Sequence, residues 1–478
     1  MRVGMIAEGS YPYVSGGVSS WIHTLITGME DIEFSLFTIT PEKKKESELK
    51  YTLTKNTVHH QNIELITDLP VNRVKSNLTK EELSLLFRWF TFQTLDPQAL
   101  LILGNREKMG SVDEFFESES FYTLVQECYE FEELYGSFLD YMWMWKSMYT
   151  PIMHLLQQDY SKVDVIHTAS TGYGGLIGTY ISIVQNIPFI ITEHGIYSRE
   201  REEEILQSSW IPVIYKKRWI QLFHHLSKIA YEQAEDIITL FEKNRGYQLE
   251  LGASPEKTAI VPNGIDINTA LTLQGKKPVF HIGAIVRIVP IKDIKTMIYA
   301  ANTLRRWGYD FHWSILGSDE ELPEYAQECK DLVVSLELEQ WVTFTGKVNV
   351  QDYLLSFDVC VLTSLSEGQP LAILEGMAAA RPWVATDVGS CRELIEGREE
   401  DPYGACGFVI PPIQPEELAD RLRWFINHPE LLGRMGQNGL NRVKNDYLLS
   451  DVITFYRNLY AERGEKVGRH RIPAAKII

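Results

Sequence analysis

Two carboxylates with seven residues between them lie in very different surroundings within residues 361–381. Glu367 lies in a polar turn after an apolar run, whereas Glu375 lies in an almost wholly apolar stretch that Pro370 opens, which is typical of a buried helix. A carboxylate among alkyl side chains is costly unless another group hydrogen-bonds it, and no Lys or Arg lies within one helical turn of Glu375. For an arbitrary pair, a solvated loop residue and a carboxylate satisfied by backbone groups would be the simplest interpretation. Because both residues follow a predicted strand, at the edge where parallel sheets bind ligands, we predict a ligand site instead.

A pair of cations follows another predicted strand, at residues 279–285. Arg287 and Lys292 come just before a predicted helix over Ile294–Arg306. The N-terminal end of a helix favours negative charge, so two cations there are explained best by an anion that binds between strand and helix. The alternative is that both are solvated loop residues.

The first residues of the chain carry a weaker signal for anion binding. A predicted strand over residues 2–7 leads into the loop Glu8–Gly17, and a predicted helix follows. Backbone N–H groups in such a loop can bind anions, and Gly16 and Gly17 would leave them accessible. The dinucleotide pattern GxGxxG is absent, and a tight turn is the alternative interpretation.

Three polar residues follow other predicted strands and are less specific. His194 comes after the strand Phe189–Thr192 and before a glycine, which favours a site residue over a core histidine. For Asn263, in an Asn-Gly turn, the functional and structural interpretations are about equal. Lys347 follows a strand over 342–345 and is unspecific alone.

Composition limits the function classes. The chain has 478 residues, 45% of them hydrophobic, which suggests two or three globular domains. A formal charge of −18 argues against a nucleic-acid partner or an anionic membrane surface, although a local cation cluster can still bind an anionic substrate. Five scattered cysteines without CxxC spacing indicate reduced thiols in a cytoplasmic protein and no structural zinc. We expect neither a signal peptide nor a membrane span.

Strand and helix patterns alternate along both halves of the chain, which predicts doubly wound α/β domains. Two segments depart from this rhythm: residues 41–61 are polar and predict a loop or hairpin, and residues 79–149 are helical and strongly aromatic. We interpret the second segment as an inserted helical subdomain, with an acceptor or partner surface as the alternative. The polar stretch 272–278 predicts an interdomain linker.

The block E-GQPLAIL-E, preceded by VLTS and followed by ARPWVATDVGS, resembles the E-x7-E element of retaining GT-B glycosyltransferases of the GT4 class. Other blocks of that class follow in the expected order, so the resemblance covers both halves of the chain. The stretches MRVGMIAEGSYPYVSGGVSSWIHTLI and ITEHGIYSREREEEI resemble the members that synthesise the Pel exopolysaccharide of biofilms.

This resemblance implies a GT-B fold, in which two doubly wound Rossmann-like domains face each other across a cleft, here with a helical insertion in the N-terminal domain. We expect an acceptor-side domain over 1–274 with the insertion at about 70–160, a nucleotide-sugar-binding domain over 275–445, and a C-terminal helix over 446–478 that crosses back to the first domain.

The resemblance also implies roles for individual residues. Arg287 and Lys292 would hold the nucleotide diphosphate, Glu375 the ribose, and Glu367 the sugar hydroxyls, while His194 would orient the sugar. The remaining donor-binding positions are Gly16, Gly17, Lys347, Gly368, Pro370 and Leu371, and the segment around Lys347 is expected to contact the nucleobase mainly through its backbone. The glycine that usually precedes the Arg is absent, because the sequence there is GAIVRIV.

We therefore predict transfer of a hexose, with retention, from UDP-glucose or a UDP-N-acetylhexosamine to a growing exopolysaccharide. No DxD element lies in a position suited to a metal, so we expect neither a metal nor another cofactor. The expected partners are the donor, a glycan acceptor and a membrane-embedded synthesis or export complex, reached from the inner face of the membrane. The alternatives are a GT-B sugar-nucleotide epimerase and a non-catalytic polysaccharide-binding scaffold.

Overall fold

The computed structural model describes residues 1–65, 76–133, 136–267, 279–399 and 401–470. These residues form two compact units. The first contains Met1–Thr239, Asn244–Ile260 and the last helix from Ile453 onward, and the second contains Leu240–Lys243 and Val261–Val452. The linker predicted at 272–278 lies outside the described residues.

The first unit is built on a seven-stranded parallel sheet of order β3-β2-β1-β4-β5-β6-β7. The strands are β1 (Arg2–Glu8), β2 (Glu33–Thr40), β3 (Thr57–Glu64), β4 (Val165–Thr168), β5 (Phe189–Glu193), β6 (Asp236–Thr239) and β7 (Thr258–Ile260). Right-handed crossovers place helices on both faces of such a sheet, which explains why β4 and β5 are buried along their whole length and β1 at all but its two end residues. The strand order reverses between β1 and β4, so their following loops diverge there.

Among the described residues, twelve α-helices belong to the first unit in whole or in part. They are α1 (Gly17–Gly28), α2 (Lys80–Phe90), α3 (Gln98–Gly104), α4 (Arg106–Met109), α5 (Val112–Phe116), α6 (Glu119–Glu132), α7 (Phe138–Leu156), α8 (Tyr173–Gln185), α9 (Tyr197–Gln207), α10 (Val213–Gln233), α11 (Glu242–Glu250) and, later in the chain, α19 (Leu449–His470). Six of them, α2 to α7, lie between β3 and β4 and form the predicted helical insertion. Its aromatic residues Trp89, Phe90, Trp145 and Tyr149 are fully buried and belong to the same hydrophobic core as the sheet of the first unit.

The prediction of a loop or hairpin over residues 41–61 is wrong at its end. Thr57–Glu64 forms β3, which pairs in parallel with β2 at the edge of the sheet. An edge strand pairs with a neighbour on one side only, and β3 is mostly partly exposed. Its polar sequence TVHHQNIE therefore lacks the alternation of apolar residues by which a strand is predicted from sequence.

The second unit is built on a six-stranded parallel sheet of order β10-β9-β8-β11-β12-β13. The strands are β8 (Phe280–Ile285), β9 (Phe311–Leu316), β10 (Val342–Gly346), β11 (Val359–Leu362), β12 (Trp383–Thr386) and β13 (Gly407–Ile410). The helices are α12 (Ile294–Arg306), α13 (Pro323–Ser335), α14 (Gln351–Leu354), α15 (Leu371–Ala378), α16 (Cys391–Glu396), α17 (Pro415–Asn427) and α18 (Pro429–Asp446). The strand order reverses between β8 and β11, which makes the carboxyl ends of these two strands the expected ligand crevice.

Among the described helices, none is both long enough and apolar enough to cross a membrane.

Candidate functional site

The loops that follow β8 and β11 are joined at the point where the strand order of the second unit reverses. The Thr363 hydroxyl donates to the carbonyl oxygens of Lys292 and Asp293, at 2.9 and 3.0 Å. The backbone N–H of Leu365 donates to the carbonyl oxygen of Ile291 at 2.8 Å. The two loops therefore hold their side chains in fixed positions relative to each other.

Lys292 and Glu367 meet across these loops. The Lys292 ammonium contacts Glu367 Oε1, and the Ser364 hydroxyl donates to the same oxygen at 2.5 Å. The side chains of Lys292 and Glu367 are only 16% and 12% exposed. Shielding from water makes the attraction between the two charges stronger than in an exposed pair. Two residues that the sequence placed 75 positions apart thus form one polar centre.

Arg287 has a different partner and a different environment. Its Nη1 lies 2.5 and 2.7 Å from the two carboxylate oxygens of Glu321, and both side chains are more than half exposed. Sequence reasoning missed Glu321, which follows β9 and lies in the acidic stretch DEE. The guanidinium is therefore at the surface of the crevice, and exposed pairs of this kind are easily exchanged for another anion.

The backbone around Arg287 is fixed by its neighbour strand. The N–H of Val286 donates to the carbonyl oxygen of Leu316 at 2.8 Å, and a Cβ at Gly317 would overlap the carbonyl oxygen of Val286. The Val286 side chain, which stands where the resembled class has glycine, is buried in the core of the unit. The valine that replaces the usual glycine therefore packs into the hydrophobic core, while the Arg287 side chain stays exposed.

Glu375 is the fifth residue of α15 and is half-buried. Burial raises the pKa of its carboxyl group. Among the described residues, none forms a hydrogen bond or an ion pair with the Glu375 carboxylate, so the structure does not support the alternative in which backbone groups satisfy it. Pro370 stands directly before the helix, in an extended conformation, and is buried.

The backbone of Glu367 and Gly368 is clamped from behind by the loop after β12. The N–H of Ser390 donates to the carbonyl oxygen of Gly368 at 2.9 Å. Gly389 has a φ of +54°, and a Cβ there would overlap the carbonyl oxygens of Glu367 and Gly368. Residues 387–390, the sequence DVGS, therefore position the turn that contains Glu367 and Gly368.

The other residues predicted for the second unit lie apart from this centre or at its border. Lys347 follows β10 and is exposed. The N–H of Asn263 donates to Gln369 Oε1 at 2.5 Å, and the Asn263 side-chain oxygen is buried with no partner among the described residues. Leu371 begins α15 and is partly exposed.

In the first unit, Gly16 and Gly17 stand at the start of α1. Both residues are exposed, and no described atom lies within 4 Å of the position that a Cβ would take at either one. The helix has no side-chain cap and no acidic residue in its first turn. Its first N–H groups are therefore available to an anionic or hydroxyl group.

His194 lies at the end of β5, and its ring packs edge-on against Trp21 of α1, with 4.7 Å between ring centroids. Burial lowers the pKa of the imidazole to about 4, so the ring is neutral at pH 7. Nε2 is buried and has no hydrogen-bond partner among the described residues. A neutral ring with one unpaired nitrogen suits hydrogen bonding to a ligand better than charge compensation.

Glu193, the residue before it, is fully buried and was missed. Its carboxyl group accepts four hydrogen bonds, which fix the end of β5, and burial raises its pKa. The only signal in the sequence is a carboxylate at the end of the apolar strand FIITE. The donors are the hydroxyls of Tyr231 and Thr171, at 2.5 and 2.9 Å, the Gln248 amide at 3.0 Å and the Tyr197 N–H at 3.4 Å.

No group of three or more His, Cys, Asp or Glu side chains in the described part of the chain is arranged to hold a metal ion.

Comparison with known proteins gives related glycosyltransferase sequences. The chain is 25% identical over 265 residues to the MMP alpha-(1->4)-mannosyltransferase of Mycolicibacterium hassiacum, a match that covers 54% of this chain and 61% of that protein. It is 30% identical over 195 residues to the alpha-D-kanosaminyltransferase of Streptomyces kanamyceticus, covering 40% and 47%. The chain thus spans about half of the length of these two relatives. A galactosyltransferase of Escherichia coli that is named for UDP-Gal is 24% identical over 323 residues, covering 63% and 76%.

Solved structures show the same fold at low identity. HepE of Anabaena in complex with UDP is 15% identical, with a TM-score of 0.60, and the match covers 97% of this chain and all of that one. A glycosyltransferase from Rickettsia africae is also 15% identical, with a TM-score of 0.57, covering 96% and 98%. Together with two parallel Rossmann-like sheets, these matches confirm the GT-B fold.

Family models match the two halves separately. Residues 276–428 match the family described as glycosyl transferases group 1, which coincides with most of the second unit. Residues 1–256 match a family described as a domain of unknown function, DUF3492. Because the match to DUF3492 covers more than half of the chain, the chain belongs to the DUF3492 family, and within its GT-B fold residues 276–428 are similar to the glycosyl transferases group 1 family.

Proposed function

We propose that this chain is a retaining glycosyltransferase that transfers a hexose from a UDP-sugar to a hydroxyl group of a growing exopolysaccharide. The observation that carries the proposal is the Lys292–Glu367 centre at the strand-order reversal, with Arg287 at its border. A cation pair and a carboxylate at that position suit a ligand that combines a diphosphate with a polyol. The relatives named as mannosyl-, kanosaminyl- and galactosyltransferases support this reaction class.

In this proposal, Lys292 and Arg287 stabilise the negative charge that develops on the leaving diphosphate. Each would exchange its carboxylate partner, Glu367 or Glu321, for phosphate oxygens. Preorganised donors of this kind contribute roughly 3–4 kcal/mol each to transition-state stabilisation. Glu367, released from Lys292, would accept hydrogen bonds from sugar hydroxyls next to the anomeric carbon.

The nucleoside would be held by α15 and the turn before it. Glu375 lacks a partner among the described residues, and the two hydroxyls of a ribose would supply the hydrogen bonds that its half-buried carboxylate needs. Gly368, Pro370 and Leu371 would contribute contacts beside it, and Lys347 would lie near the base. The resemblance to GT4-class glycosyltransferases supports these assignments.

For the first unit, we propose that the N–H groups of Gly16 and Gly17 bind an anionic or hydroxyl group of a substrate. His194, neutral at pH 7, would accept or donate one hydrogen bond to a sugar hydroxyl. Neither role requires the imidazole to change its charge during the reaction.

The chemical step that we propose keeps the anomeric configuration. The bond between the anomeric carbon and the β-phosphate oxygen breaks, and a bond to the acceptor oxygen forms on the same face of the sugar. The acceptor proton passes to the departing phosphate oxygen, so UDP leaves with that proton. No metal is needed in this scheme, because the cations compensate the charge.

Two lines of support favour UDP and an exopolysaccharide. HepE, which shares the fold, was crystallised with UDP and with UDP-glucose, and the Escherichia coli relative is named for UDP-Gal. The opening stretch and residues 191–205 resemble enzymes of Pel synthesis, which suggests UDP-glucose or a UDP-N-acetylhexosamine as donor and a membrane-embedded synthesis or export complex as partner.

Product analysis tests the proposal directly. Purified protein is incubated in EDTA with UDP-glucose or UDP-N-acetylhexosamines and an oligosaccharide panel, and products are analysed by mass spectrometry and NMR. We expect free UDP and an α-linked product from an α-linked donor, and loss of both in the Lys292→Ala variant. A β-linked product would refute retention. An epimerised donor without transfer would support the epimerase alternative, and no nucleotide binding would support the scaffold alternative.

A further inference from the structure

Residues 109–145, within the helical insertion, contain nine Asp and Glu residues and no Lys, Arg or His. The whole chain has 64 acidic and 46 basic residues, so this segment is far more acidic than the rest. Acidic stretches are usually solvated and poor in large apolar residues. This one is rich in aromatic residues, which an ordinary solvated face does not require.

Helix α6 and the first turns of α7 lie within this segment, and the two helices pack against each other as a hairpin. Their inner faces meet through aromatic rings, with centroids 5.4 Å apart for Phe121 and Trp145 and 5.3 Å apart for Tyr129 and Tyr141. Phe121, Tyr141 and Trp145 are buried. The core of the hairpin is therefore complete without the aromatic side chains on its outer side.

The outer side carries Tyr122, Leu139 and Trp143, which are 54%, 55% and 59% exposed. We call these three residues the hairpin face. The Tyr122 ring lies 5.8 Å from the Phe138 ring, so the face is continuous from α6 to α7. Ile214, also half exposed, packs against Gly136 at the connection and extends the apolar surface.

Carboxylates surround the hairpin face. Glu119, Glu130 and Asp140 are exposed, and none of them has a basic partner among the described residues. The nearest cation along α7, Lys146, has its ammonium over the rings of Phe116, Phe121 and Trp143, at 5.2 to 5.5 Å from the centroids. On α6 and α7, acidic residues therefore outnumber basic ones around the hairpin face.

We infer that the hairpin face binds a basic amphipathic helix of a partner protein. Apolar side chains spaced along such a helix would cover Tyr122, Leu139 and Trp143, while its Lys or Arg residues would pair with the surrounding carboxylates. A second copy of this chain would place carboxylates against carboxylates, and an anionic lipid surface would be repelled in the same way. Charge complementarity thus selects one occupant among the three.

The size of the hairpin face fits a helix better than a folded domain. Three large side chains, each a little more than half exposed, present on the order of 350 Å² of apolar surface. A standard protein interface buries about 800 Å² on each partner. The surface is thus sufficient for one side of a helix, and this inference does not depend on the proposed function.

Fluorescence anisotropy with a designed peptide tests the inference on the full chain. The probe is a labelled helical peptide of Leu and Lys with leucines at helical spacing, and its control has Glu in place of Lys. We expect saturable binding of the Lys peptide that weakens with added salt, and no binding of the Glu peptide. The double substitution Tyr122→Ala and Trp143→Ala should weaken binding at least about tenfold.

Matched variants localise the binding. Trp307→Ala removes an exposed tryptophan of the second unit and should change the affinity less than about twofold. The double substitution Glu130→Lys with Asp140→Lys should weaken binding of the Lys peptide and strengthen binding of the Glu peptide. This variant tests the inference if the alanine variant does not fold. Equal peptide affinity in wild type and both hairpin variants would overturn the inference. The inference would also be overturned if the chain bound phosphatidylglycerol vesicles or self-associated, and if the hairpin substitutions abolished that binding or self-association.

Discussion

Replacing Lys292 by methionine should separate two properties of the same side chain, its contribution to folding and its contribution to nucleotide binding. The substitution removes the ammonium and keeps most of the side-chain volume. Glu367, only 12% exposed, then loses its cation and keeps the Ser364 hydroxyl as a donor. A shielded carboxylate without its counter-charge destabilises the folded state.

The magnitude follows from the exposure of the pair. Breaking a fully buried pair by removing one partner costs about 3–5 kcal/mol. Because Lys292 is 16% exposed and one hydroxyl donor remains, we expect about 2 kcal/mol for Lys292→Met. Arg287→Met breaks a pair whose side chains are 57% and 51% exposed, and it should cost less than about 1 kcal/mol. The double variant Lys292→Met with Glu367→Gln leaves no unpaired charge and should lie within about 1 kcal/mol of wild type.

Calorimetry measures both properties. In differential scanning calorimetry, about 2 kcal/mol corresponds to a fall of about 4–8 °C in the transition of a unit of this size. Isothermal titration with UDP should show severe loss of affinity in all three variants, including the double variant with restored stability. The reasoning is refuted if Lys292→Met is no less stable than Arg287→Met, or if the double variant regains UDP affinity together with stability.

Three further predictions concern other sites. UDP-glucose binding in mildly acidic buffer should release protons, because ribose hydroxyls favour the ionised form of Glu375, whose pKa burial raises in the free protein. Titration enthalpies in buffers of different ionisation enthalpy measure this release, and Glu375→Gln should abolish it. Burial lowers the pKa of His167 to about 3 and the pKa of His194 and His225 to about 4. The unfolded state therefore binds more protons than the folded state below about pH 6.5. We expect the free energy of unfolding to fall with the pH, by ~2 kcal/mol per histidine at about pH 5. Ile413 has a φ of +59° with an exposed side chain, so Ile413→Gly should raise the free energy of unfolding by about 0.5–1 kcal/mol, measured by urea denaturation.

Each of these has a control or a contradicting result. Proton release that persists in Glu375→Gln would remove that carboxylate from the site. His225→Phe should leave the free energy of unfolding nearly unchanged at neutral pH and reduce its loss in acid, and an unchanged acid loss would contradict the assignment. A stability gain in Ile413→Ala as large as in Ile413→Gly would show that backbone strain is not the cause.

Local patterns in the sequence predicted local structure well. Helix α12 runs over Ile294–Arg306, as the apolar spacing and the cations before it predicted. The strand before Glu367 and the helix around Glu375 also follow from apolar runs, because both elements are buried on most sides. Edge strand β3 could not be predicted in this way, since half of its surface is exposed and its sequence is polar.

Partners across the sheet could not be predicted from spacing. Glu321 is 34 residues from Arg287 and follows a different strand, so only the strand order brings the two together. The same holds for Trp21 and His194, which meet because α1 follows β1 and packs near the end of β5. Glu193 was missed because a buried carboxylate at a strand end gives no sign of its four donors until the fold supplies them.

The most direct test of the central claim is a UDP titration by isothermal calorimetry in EDTA, with uridine as the comparison ligand. If the loops after β8 and β11 bind the diphosphate, wild type binds UDP much more tightly than uridine, and the variant Arg287→Ala with Lys292→Ala loses that preference. Lys295→Ala, which removes a partly exposed cation from the following helix α12, should leave this preference unchanged. An unchanged preference for UDP in the Arg287 and Lys292 double variant would contradict the account.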